Sequence, residues 1–156
     1  MKQRKLQIAL SFVIGMAGLF AALPASAQFA KPEDAVKYRK ATFTVMANHF
    51  GRISAMAQGK VPFDAAAAAA NAEIVATMSM LPYSAFPEGT QGSEKGTPKL
   101  NVWSERAKFD EAAKNMQGEV AKLVAAARSN NLDALKAAVG NTGKSCKACH
   151  DNFRNE

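Results

Sequence analysis

Between Asn101 and Arg128 the apolar residues Phe109, Ala113, Met116, Val120, Leu123 and Ala127 recur at steps of four, three, four, three and four. An α-helix turns once in about 3.6 residues, so this spacing lays a single apolar stripe along one side of a helix. Such a stripe is stable only when buried, and the rest of the chain supplies partners for it. Val36, Phe43, Phe50 and Ala57 repeat every seven residues, interleaved with Arg39, Met46 and Ile53 at the same spacing. Leu132, Leu135, Val139, Thr142, Cys146, Cys149 and Phe153 alternate steps of three and four. A fourth segment capped by Asp64 runs to about Leu81, with Ile74, Met78 and Leu81 on one face. No convincing period-two alternation occurs, and the class predicted is all-α.

Local signals bound these helices. Pro32 suits the first helical position, Glu33 and Asp34 sit favourably at the positive end of the helix dipole, and Gly59 and Pro62 stop the first helix. The "AAAAAA" run is a strong helix former that lets neighbouring backbones approach. The third helix is predicted to start near Asn101 to Trp103, and Asn131 caps the fourth. Gly140 and Gly143 each cost about 1 kcal/mol relative to alanine in a helix interior. Either something bulky or another backbone lies close to them, or the helix breaks there. The connections are short except residues 82–100, so the economical architecture is an antiparallel up-down-up-down four-helix bundle.

The first 27 residues stand apart. "MKQRK" carries three basic residues, the run from Leu6 to Leu23 is apolar, and "PASA" offers Ala25 and Ala27 to a signal peptidase. A cleaved signal peptide over 1–27 and export to a periplasm are predicted, with an uncleaved membrane anchor as the competing reading. The domain then covers 28–156, and removal of Lys2, Arg4 and Lys5 takes the formal charge from +7 to +4. With no dense Lys/Arg tract, nucleic acid is excluded as a partner, and after cleavage so is the membrane.

The only two cysteines lie in "KSCKACHDNFRNE". Residues three apart share a helix face, so Cys146 and Cys149 both address one flat ligand, while His150 projects about 100° further round. C-x-x-C-H reads as c-type haem attachment: two thioethers hold the porphyrin edge and the imidazole reaches iron from one side. A disulfide here closes a negligible loop, and zinc lacks a fourth ligand, since His49 is the only other histidine. A thiol–disulfide oxidoreductase wants its cysteine at a helix N-terminus beside a strand, whereas this motif lies at the C-terminal end of its helix.

With an export signal, four amphipathic helices and "CKACHDNFR", the chain resembles the cytochromes c′, class II c-type cytochromes; "QFAKPEDAVKYRKATFTVMANHFGR" carries the same resemblance. The resemblance implies one haem c on Cys146 and Cys149, His150 as proximal iron ligand, Arg154 covering its imidazole, and Arg39 meeting a haem propionate. Lys40 stands where relatives often have a glutamine that approaches the haem, and Glu94 falls roughly where a loop residue touches its edge. Tyr83 and Phe86 match aromatic residues that wall the pocket. Phe43 replaces the methionine that ligates iron in low-spin relatives, so five-coordinate iron is expected, with Met46 and His49 as the rival sixth ligands. The function implied is binding of nitric oxide and carbon monoxide and transfer of single electrons, not enzymatic turnover, in a homodimer contacting through the first helix. A low-spin electron carrier with Met46 on the iron is the alternative.

Overall fold

The computed structural model describes residues 28–156, so the signal-peptide segment 1–27 lies outside the described residues. Four long helices dominate: α1 (Pro32–Ala57), α2 (Ala65–Met80), α4 (Arg106–Arg128) and α5 (Leu132–Phe153), with a four-residue α3 (Asn101–Ser104) ahead of α4. A 3₁₀ turn, Pro82–Ala85, opens the long loop. The packing runs α1 on α2, α2 on α4 and α4 on α5, with α1 also meeting α5, which is the antiparallel bundle. No described helix is long and apolar enough to cross a membrane.

The caps follow the chemistry of their residues. Pro32 opens α1, and beyond its C-terminus Gly59 takes φ +69° while donating to the Met56 carbonyl. Asp64 accepts a hydrogen bond from the Ala67 amide, and Asn131 accepts one from the Ala134 amide. Asn130, at φ 52°, makes the left-handed turn between α4 and α5.

In α4 the buried residues are Phe109, Ala113, Met116, Val120, Leu123 and Ala127, the stripe read from the sequence. The face of α2 differs from expectation. Its buried residues are Ala68, Ala72, Val75 and Ser79, while Ile74 and Met78 are half-buried and Leu81 is 36% exposed. The alanines let α2 sit close between α1 and α4, and Gln117 on α4 reaches the Ser79 carbonyl at 3.0 Å. The helix predicted from Asn101 onward is broken at Glu105, where φ is −120° and ψ 41°. Tertiary pulls hold the short piece: Val102 is fully buried, and the Trp103 indole donates to the Phe86 and Pro87 carbonyls at 3.0 and 3.1 Å.

Helix α5 continues unbroken through Gly140 and Gly143. A Cβ on either glycine would meet nothing within 4 Å among the described residues, so close packing does not account for them.

Candidate functional site

Helix α5 brings Cys146, Cys149 and His150 to one end of the bundle, all three half-buried and both thiols unpaired. Cys146 packs against the main core of Ile53, Leu123 and Leu135, and Cys149 against a second cluster of Phe86, Phe109 and Phe153. A groove between α4 and α5, bordered by Ala112, Asn115, Ser145 and Ala148, gives Cys149 its opening to solvent. Burial raises both thiols above their ordinary pKa, and at Cys149 the neighbouring Cys146 adds to it. Burial lowers that of His150, and the charge of Arg154 one turn on lowers it further. The imidazole therefore favours its neutral form, the form that ligates a metal.

Aromatic rings connect α1 to α5 across this end. Phe43 meets Tyr83 edge-on at 6.4 Å, Tyr83 meets Phe109 at 5.8 Å, and Phe109 meets Phe153 at 5.4 Å. Phe86 lies 5.0 Å from Phe109 and carries the Arg39 guanidinium over its face at 4.6 Å. The Tyr83 hydroxyl is held protonated, chiefly by burial.

Arg39 is the anomaly of the site. It is 4% exposed, donating to the Ala85 carbonyl at 2.9 Å, the Thr90 hydroxyl at 2.7 Å and the Thr90 carbonyl at 2.6 Å. Every partner is neutral, and none of the ion pairs among the described residues includes it. Burial lowers its pKa, as it must for a cation without a counter-charge. A buried guanidinium in an aromatic cluster beside two free thiols fits a flat apolar group with an anionic edge. Haem c meets that description, and the residues present fit it.

The remaining expected residues are distributed differently. Lys40 is exposed on α1, and Glu94 is exposed in the loop, where its carbonyl accepts from the Thr97 amide; neither joins the aromatic cluster. Arg154 is half-buried after α5, its Nε buried without a hydrogen-bond partner. Met46 packs against the main core, and His49 Nδ1 is 2.7 Å from Asn71 Oδ1 of α2. Thr90, Phe109 and Phe153 were not read as site residues. The two phenylalanines sat on helical stripes as ordinary core, and a loop threonine carries no periodic signal.

The family model described as Cytochrome C′ matches residues 34–154. Cytochrome c′ of Alcaligenes xylosoxydans xylosoxydans is 49% identical over 127 residues, covering 81% of this chain and 98% of that protein. The crystal structure of cytochrome c′ from Rubrivivax gelatinosus superposes with a TM-score of 0.77 at 50% identity, over 82% of this chain and 100% of the other. The nitric oxide complex of a mutant cytochrome c prime from Alcaligenes xylosoxidans gives the same TM-score, 0.77, at 47% identity, over 83% and 99%.

Proposed function

The chain belongs to the cytochrome c′ family, whose members bind haem c, and on that premise we propose that it is an exported haem protein that binds nitric oxide and carbon monoxide and passes single electrons. Bound in this site, haem c supplies an iron that takes up a small gas and changes its charge by one electron. The observation that carries the reading is Arg39, a buried cation with neutral partners, set over Phe86 in the cluster that also packs Cys149.

The chain's own residues divide the work. Cys146 and Cys149 would hold the haem through two thioethers, and His150 on α5 would offer its neutral imidazole to the iron. Arg39 would supply the counter-charge to a haem carboxylate. Phe43, on α1, has no atom that could ligate a metal, so a haem held here would have His150 as the one ligand these residues supply, and five-coordinate iron is the reading. The rings of Phe43, Tyr83 and Phe86 would present apolar surface to the haem, and the Phe43 ring donates no hydrogen bond. Bound dioxygen carries partial negative charge and wants such a donor, whereas nitric oxide and carbon monoxide do not, so the site discriminates against oxygen. Arg39 is the charged residue of the α1 stripe; its Nη atoms donate three hydrogen bonds to Ala85 and Thr90, which leaves two of its five N–H groups for an anion, and a guanidinium is too weak an acid to pass a proton to a bound peroxide. That favours a binding and electron-transfer role over turnover.

The basic start, apolar run and Ala25-x-Ala27 site favour export to the periplasm. The nitric oxide complex of the relative supports the choice of gas. The proposal extends to a homodimer contacting through α1, as the resemblance to the cytochrome c′ family implies.

Expressed with its own leader, the protein is expected in the periplasmic fraction, to stain for haem after denaturing electrophoresis, and to give a high-spin ferrous spectrum that changes on adding nitric oxide. A low-spin ferrous spectrum without added ligand refutes five-coordination. Met46→Ala then separates the two readings: it changes the spin state only if Met46 is a ligand.

A further inference from the structure

The last four carbonyls of an α-helix have no partner inside it, and in α5 all four are taken. The His150 carbonyl accepts from the Arg154 amide at 2.9 Å, Asp151 from Lys99 Nζ at 2.8 Å, Asn152 from the Asn101 side chain at 3.0 Å, and Phe153 from the Lys99 amide at 2.9 Å. Three of these donors come from the long loop or the start of α3, so the loop holds the end of α5 as a strap.

Just beyond α5 the chain stays pinned to that strap. Arg154 pairs with Pro98 in an antiparallel bridge, in extended conformation at φ −121° and ψ 137°. Asn155 then makes four hydrogen bonds to the turn around Thr97. Its amide donates to the Thr97 carbonyl at 2.9 Å, and its carbonyl accepts from the Gly96 amide at 2.7 Å. Its side-chain amide donates to the Gly92 carbonyl at 2.8 Å and the Thr97 hydroxyl at 3.1 Å. The turn is shaped to receive it: Gly96 has φ +81°, and a Cβ on Gly92 would fall 2.7 Å from Thr97 Cβ.

Arg154 has little of its own to hold it. Among the described residues its one ion pair, Nη2 to Glu156, is 3.3 Å long and exposed, and its buried Nε has no hydrogen-bond partner. The place of the guanidinium, one turn beyond His150 and with its own amide bonded to the His150 carbonyl, is therefore set by the backbone on either side of it. We propose that Asn155 is the positioning residue of the proximal side: by locking the segment after α5 into the Gly92–Thr97 turn, it fixes the charge of Arg154 beside the imidazole of His150. This rests on the reading of His150 as the iron ligand. A fixed positive charge beside that imidazole weakens its donation to iron and favours the reduced state, so releasing it has a defined sign.

The test uses the haem-loaded protein and Asn155→Pro, which deletes the amide donor and both side-chain bonds. The extended Arg154 is already compatible with a following proline. Expected in the variant are loss of hydrogen-exchange protection at the Gly96 and Lys99 amides, an upward shift and broadening of the ferrous iron–histidine stretching band, and a lower reduction potential. Asn155→Ala, which keeps the backbone bonds, should show smaller changes of the same sign. Released amides with an unchanged band and potential overturn the proposal, as does unchanged protection. An unaltered protein without an iron–histidine band refutes the reading of His150 itself, which separates the two failures.

Discussion

Phe43 and the two cysteines carry the chemistry that single residues can test. Phe43 stands edge-on to Tyr83 as the α1 contribution to the aromatic cluster. Replacing it with alanine should raise the rate of carbon monoxide binding to the ferrous protein about tenfold, equivalent to about 1.4 kcal/mol of barrier. Stopped-flow mixing measures this, and an unchanged rate means that Phe43 is not the lid. Before haem attachment the thiols offer a second test. Both have pKa values raised by burial, so the folded chain favours their protonated form. That contribution to stability is complete below the ordinary thiol pKa and is lost as pH rises through the raised value. The haem-free chain should lose stability to urea on the alkaline side, and its alkylation by iodoacetamide should have a midpoint above the ordinary value of 9.0. A midpoint below that value would identify an activated thiolate and favour thiol–disulfide exchange.

Helices α4 and α5 are legible because their burial is periodic, and one face is all that periodicity reports; in α1 only Arg39, Ile53 and Ala57 of the expected stripe are buried, while Val36, Phe43, Met46 and Phe50 are half-buried and Ala35, Thr42 and Met56 lie inside instead. The α4 stripe from Phe109 to Ala127 was read without error, as were the caps at Asp64 and Asn131. Helix α2 was misjudged because hydrophobic size was taken as the signal, whereas alanine packs there by being small: Ala68 and Ala72 are fully buried and Met80 is 64% exposed. The break at Glu105 was invisible for another reason, since Trp103 is drawn to carbonyls 16 and 17 residues earlier. Of the candidate site, Cys146, Cys149 and His150 announced themselves by spacing, and Arg39 by being a charge in an apolar stripe. Thr90 and Asn155 could not, because their partners lie 51 and 63 positions away. The glycines of α5 give an element-scale prediction. Gly140 is exposed, helical and free of neighbours within 4 Å of an added Cβ, so Gly140→Ala should stabilise the protein by about 1 kcal/mol. Denaturant unfolding of the haem-loaded protein checks it, and a loss of stability would place a close neighbour at that position.

At the scale of the whole molecule, the proposed homodimer through α1 has a direct test: Val45→Asp, which puts a charge on an exposed position of that helix, should convert a dimer to monomer in sedimentation equilibrium if α1 is the contact. The same bundle is wired in two ways. Most of its helix contacts join neighbours along the chain, α1 with α2 and α4 with α5, with α1 also meeting α5, while the strap joins Arg39 to Thr90 and Gly92 to Asn155 over 51 and 63 positions. The entropy of closing a loop grows with its length, so the strap carries a larger closure cost than either helical hairpin. The end of α5 that bears Cys146 and Cys149 is thereby tied to residues more than fifty positions away, and the thiols keep their place only while that distant turn keeps its own.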